Sequence, residues 1–132
     1  MKHALRLVVA ALMIPALPLH SDDSKTGKVT GWFSDERCAR PRLTAPKLGP
    51  SNPICSADCI RKGAAAVFIG EDRTILVLKD YPGVIDDLGF HVEVTGIVDP
   101  AAKTFRVQSV KQLSWEGAAC VRPRKPAAAP HN

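Results

Sequence analysis

Four cysteines, Cys38, Cys55, Cys59 and Cys120, are the residues of this chain whose types and spacing offer chemistry. Two kinds of chemistry are open to them. An even number of cysteines in a small exported chain reads as a disulfide framework. Four cysteines allow three pairings. Cys55 and Cys59 are four residues apart, so on a helix they share a face but make a poor disulfide with each other. That favours pairing Cys38 with one of them and Cys120 with the other, in either of two ways; the expected set is Cys38–Cys59 with Cys55–Cys120. A bridge across a loop of this length contributes on the order of 3 kcal/mol, mostly by restricting the unfolded chain. The second chemistry is a thiolate metal site. Cys-x-x-x-Cys falls within zinc-ligand spacings, and Cys38, Cys55 and Cys59 would need a fourth ligand, either His91 or Asp35. Neither Cys-x-x-Cys nor His-x-x-x-His is present. Covalent haem attachment and a thioredoxin-like redox site are therefore not indicated.

The remaining polar residues do not assemble into a catalytic set. There is no Gly-x-Ser-x-Gly, no His-Glu-x-x-His and no phosphate loop. Asp35 stands at a strand end, where an aspartate commonly caps a turn. Asp86-Asp87 reads as a solvated acidic pair. The expectation is a non-enzymatic domain without a cofactor. Its candidate binding surface comprises Trp32, Asp35, Arg40, Arg42 and Tyr81, with the Ala39–Ile54 loop as contact region. Trp32, Tyr81 and Trp115 read first as cover for the core and second as a stacking surface for a sugar; a saccharide and another exported protein are the candidate partners, and the sequence selects neither. Single-stranded nucleic acid needs basic residues interleaved with exposed aromatics, and the strands that would supply them read AAAVFI and TILVL.

Positioning these residues requires a fold, and the first twenty residues do not belong to it. Lys2, His3 and Arg6 form a positive start, and Leu5 to Leu19 is nearly all apolar, interrupted by Pro15 and Pro18. This is the pattern of a secretory signal and too short for a membrane span. It predicts a periplasmic or secreted protein with no membrane attachment after cleavage. No cysteine closes the apolar run, which argues against a lipid anchor. The formal net charge of +5 falls to +3 once Lys2 and Arg6 are removed with the leader. That mild excess is not a nucleic-acid footprint. Its basic residues gather in the segment holding Arg37, Arg40, Arg42 and Lys47 and in the tail holding Arg122, Arg124 and Lys125.

Residues 21–26 read as a linker, 27–120 as one domain, and the Pro- and Ala-rich 121–132 as a disordered tail. Within the domain, Gly27–Ser34 alternates as a first strand that ends on Trp32-Phe33. Pro41, Pro46, Pro50 and Pro53 then mark a long loop bracketed by Cys38 and Cys55. Ser56–Lys62 predicts a short helix, with Ser56 as cap and Gly63 as stop. Ala64–Ile69 and Thr74–Leu78 form a hairpin whose first strand is apolar on both faces. Tyr81–Leu88 predicts a turn and a short helix. Phe90–Leu113 is a long second hairpin, with Val92, Val94 and Phe105 inward, Asp99-Pro100 in its turn, a bend at Gly96 and a bulge near Ser109-Val110. Five short strands predict a mainly β fold, a small five-stranded OB-like barrel with one short helix between strands 1 and 2; a small β-sandwich is the alternative.

The pattern Gly-Trp-x-x-Asp-x-x-Cys at Gly31–Cys38, followed by Cys-x-x-x-Cys-Ile-x-x-Gly-Ala at Cys55–Ala64, Val67-Phe68 and Val92-x-Val94-Thr95-Gly96, resembles a group of small secreted bacterial domains of unknown function. The resemblance runs from about Gly27 to Leu113. Its second half is similar to periplasmic OB-fold proteins, which implies the same fold. Such proteins often carry Gly and a His soon after the first cysteine, where this chain has Ala39 and Arg40. The resemblance implies no activity.

Overall fold

The computed structural model describes residues 24–117. The expected leader, the tail and Cys120 lie outside that range. The chain runs β1 (Lys25–Asp35), α1 (Glu36–Leu43), α2 (Pro53–Arg61), β2 (Ala66–Gly70), β3 (Ile75–Lys79), a 3₁₀ turn (Pro82–Ile85), β4 (Phe90–Asp99) and β5 (Thr104–Trp115). The strands form one sheet that closes into a ring in the order β1-β2-β3-β5-β4. All neighbours are antiparallel except β3 and β5, which close the ring in parallel from Val77↔Thr104 to Lys79↔Arg106. This is the OB-like order that the strand pattern predicts, and β1 begins at Lys25, within the expected linker.

β1 is the strand that organises the ring. Its first half pairs with β4, from Lys25↔Val98 to Trp32↔His91, and its second half with β2, from Gly31↔Gly70 to Asp35↔Ala66. Gly31 sits where the two pairings overlap. A Cβ there would fall 2.1 Å from the Ile69 carbonyl oxygen, so only glycine permits this approach. At Gly96, the predicted bend of β4, a Cβ would likewise fall 2.3 Å from the Arg106 carbonyl oxygen. The β4–β5 ladder slips between Thr95↔Ser109 and Gly96↔Val107, so the bulge falls on Gln108, one residue before the predicted place.

Inward side chains Phe33, Phe68, Phe105, Val92 and Val94 fill the ring and are at most 1% exposed. Phe68 packs edge-on against both Phe33 and Phe105, with centroids 5.7 and 5.4 Å apart. The outer face of β2 carries a second small core of Ala39, Val67 and Ile69, flanked by Leu43, Leu48, Ile75 and Val77. Here α1 lies over the sheet, which explains why the AAAVFI strand is apolar on both faces.

α1 and the start of α2 are where the sequence reading needs correction. The prolines pointed to a loop from Ala39 to Ile54 and to one helix. The chain instead turns helical immediately after β1, keeping Pro41 inside an eight-residue α1. Proline removes one intrahelical N–H bond at its position; the cap from Asp35 and burial of Ala39 against β2 compensate locally. α2 starts at Pro53, not Ser56. Asn52 is its cap, accepting from Ile54 N at 3.0 Å and Cys55 N at 3.1 Å, and Pro53 occupies the first helical position, where a missing N–H costs nothing. Ser56 is buried within the helix. Gly63 does end it, at φ +96°.

Candidate functional site

The end of β1 carries two buried polar residues side by side, Ser34 and Asp35, both 0% exposed. Asp35 Oδ1 accepts from Arg37 N at 2.9 Å and Cys38 N at 3.1 Å, which makes Asp35 the N-cap of α1. The expected turn cap is thus a helix cap. The same cap fixes Cys38 in the first turn of α1, against the carboxylate. Ser34 holds the facing wall: its hydroxyl is 2.6 Å from Ser51 Oγ and 3.5 Å from Ser56 Oγ. Those contacts seat the start of α2 on β1 and bring Cys59, one turn after Cys55, over the same corner. Together Asp35, Cys38 and Cys59 present one carboxylate oxygen and two sulfurs within 4.8 Å of one another.

The carboxylate is only half used. Asp35 Oδ2 is buried without a hydrogen-bond partner, and among the described residues Asp35 makes no ion pair. Burial pushes its pKa up, but the Cys38 thiol and backbone N–H, the Ser56 hydroxyl and the Arg37 N–H together outweigh burial and hold it below the usual aspartate value. Asp35 is therefore a buried anion. The thiol and hydroxyl beside it aid its ionisation without giving Oδ2 a bond of good geometry. Cys38 feels the converse: burial, then the hydrogen bond and charge of Asp35, with a smaller push from Cys55, raise its pKa to about 12. At neutral pH the Asp35 carboxylate faces a protonated Cys38 thiol.

The cysteine pairings expected from the sequence take this form. Cys38 and Cys59 are neighbours, as free thiols and not as a bond. Cys55 is exposed, and its expected partner Cys120 lies outside the described residues. The alternative ligand set changes: His91 does not join the thiols. Its Nε2 is 2.8 Å from Glu71 Oε1, and its ring stacks on Trp32 at 4.8 Å, because β1 and β4 pair Trp32 directly with His91. Asp35 takes the place considered for His91.

The proposed binding surface does not gather. Trp32 is 7% exposed, and its indole N–H donates to Glu116 at 3.0 Å. Tyr81 packs on Phe33 and donates to Asp87. Asp87 itself is buried, 8% exposed, and accepts from Gln112 Nε2 at 2.8 Å, so it is not the solvated acid that the sequence suggested. Arg40 lines a different feature, a groove of about 730 Å³ on the outer face of β2 and β3, floored by Val29, Leu43, Val67 and Val77. Trp115 remains 55% exposed. Sequence reasoning gave Ser34 and Ser51 no role and read Ser56 only as a helix cap; serines carry no spacing signal, and only the fold brings the three together. Among the described residues no helix is long and apolar enough to cross a membrane. Comparison with protein-family models, curated proteins and solved structures finds no match to this chain.

Proposed function

We propose that this is an exported, non-enzymatic binding domain whose ligand is a thiophilic divalent cation of the zinc class, held by Asp35, Cys38 and Cys59. One observation carries the reading: the buried Asp35 carboxylate keeps Oδ2 without a hydrogen-bond partner, and a carboxylate oxygen of the same residue lies within 4.8 Å of the sulfurs of Cys38 and Cys59. A buried polar atom without a partner is costly, and a cation between Asp35 and the two sulfurs supplies that partner. Two thiolates and a carboxylate suit zinc, which accepts sulfur and oxygen together.

Distances favour the cation over the bond. A tetrahedral zinc ion with ordinary ligand lengths sets sulfur and oxygen atoms roughly 3.5–3.8 Å apart. Atoms within 4.8 Å of one another reach that by drawing in about 1.3 Å at most. A disulfide at about 2.05 Å asks for a larger rearrangement of the pair. The disulfide-stapled domain remains the competing reading, since an oxidising compartment favours it.

Both cysteines must lose their protons to ligate, so each ion bound releases two, and affinity rises with pH. The test is intact mass of the full chain as purified, followed by titration of the reduced chain with zinc against a competing chelator. One zinc per chain, lost in Cys38→Ser and in Cys59→Ser, supports the site. Absence of zinc, with a mass four hydrogens lighter than the reduced chain, supports two disulfides instead.

A further inference from the structure

Cys55 is the thiol that the proposed site does not use, and its placement is specific. It lies one helical turn before Cys59 on α2, so the two side chains share a face, with Cβ atoms about 5–6 Å apart. It is exposed where Cys38 and Cys59 are half-buried and Asp35 is fully buried. It stands outside the group whose ligand atoms lie within 4.8 Å of one another. Its neighbour Ile54 is 71% exposed, and Asp58 on the next turn is occupied by Lys62 at 2.6 Å, so no carboxylate competes with the thiol on this face. The polar groups thus form a path: an exposed thiol, two half-buried thiols, and a buried carboxylate oxygen without a partner at its inner end.

We infer that Cys55 is the exchange ligand of this site, the thiol that takes a zinc-class cation from another thiol-bearing carrier and passes it inward to Cys38, Cys59 and Asp35. The inference rests on the three-ligand site proposed above. In the first step a bond from Cys55 Sγ to the ion forms as one carrier thiolate lets go, and the departing thiolate takes up the proton that Cys55 gives up. In the second, Cys59 and then Cys38 replace the remaining carrier ligands and Cys55 on the ion, each surrendering its proton to the thiolate it displaces or to solvent. No electron is transferred. The carrier is defined by its chemistry, a metal thiolate, whether a small thiol or a cysteine-rich protein.

The test uses the reduced full chain with Cys120→Ser in every sample, so that Cys55 is compared without the fourth cysteine of the sequence. Zinc is offered as a glutathione complex, as a zinc-loaded cysteine-rich protein, and as a complex with an oxygen-donor chelator that has no thiol. Cys55→Ser and Cys55→Ala should keep the equilibrium affinity and the uptake rate from the oxygen-donor chelator. They should take zinc from the thiol carriers about tenfold more slowly, equivalent to about 1.4 kcal/mol of barrier. A slowdown with glutathione alone assigns the small thiol as carrier, and one with the protein carrier alone assigns a protein; either supports the inference. Unchanged rates with both thiol carriers overturn it. So does a loss of affinity as large as that of Cys38→Ser, which makes Cys55 a resident ligand. If Cys38→Ser and Cys59→Ser bind zinc as well as the parent chain, the site itself fails, whatever Cys55 does.

Discussion

Two buried aspartates stand in this small domain, and they are used in opposite ways. Asp87, after the 3₁₀ turn, spends both oxygens: Oδ2 accepts from the Tyr81 hydroxyl and Oδ1 from Gln112 Nε2. It ties the β3–β4 connection to β5. Asp35, at the end of β1, spends one oxygen on the first turn of α1 and leaves the other without a partner beside two thiols. A carboxylate whose lone pairs are taken is a structural joint. A buried carboxylate with an unpartnered oxygen and two thiols nearby is the ligand of the proposed site. On that proposal the two residues separate stability from binding within one ring of strands.

The largest expected effect breaks that comparison most directly. Asp35→Asn should weaken zinc binding by roughly 10–100-fold, and Cys38→Ser or Cys59→Ser by at least as much, while Asp87→Asn leaves it unchanged; competition with a chelator reads all four. Stability should follow the reverse order. Asp87→Asn strips the Tyr81 hydroxyl of its carboxylate and should cost about 1–3 kcal/mol in denaturant unfolding.

A third prediction concerns pH. The folded state holds the Cys38 proton up to about pH 12, against an ordinary thiol value of 9.0, whereas the unfolded chain sheds it from about pH 9 upward. The folded state thus binds more protons between the two values. The contribution of Cys38 to stability is intact below pH 9 and declines above it. Tyr81, also raised by burial and by Asp87 from 10.0, adds a second decline that begins near pH 10. Cys38→Ser should remove the first decline and Tyr81→Phe the second in unfolding curves taken from pH 8 to 11. The smallest effect is the stability of Asp35→Asn without metal. Asparagine caps a helix about as well as aspartate, so the change should stay within a few tenths of a kcal/mol.

The ring was legible in the sequence because period-two alternation and turn chemistry are local. Val92, Val94 and Phe105 point inward as the pattern requires, and Asp99 Oδ1 accepts from Ala102 N at 2.9 Å in the expected turn. α1 was not legible. Pro41 argued against a helix, and the contact that stabilises it, Ala39 on Val67 and Ile69, joins residues far apart in the chain. The candidate site was legible in part. Spacing singled out Cys38, Cys55 and Cys59 and named Asp35 beside His91 as a further ligand. Choosing between those two needed the strand register, because pairing with Trp32 carries His91 to Glu71 instead. The vacant oxygen of Asp35 arises from the meeting of β1, α1 and α2, and no local pattern encodes it.

X-ray absorption on the reduced protein loaded with one equivalent of zinc tests the ligand assignment most directly. The arrangement of Asp35, Cys38 and Cys59 predicts two sulfur neighbours at about 2.3 Å and oxygen at about 2.0–2.2 Å. A first shell with no sulfur would contradict it.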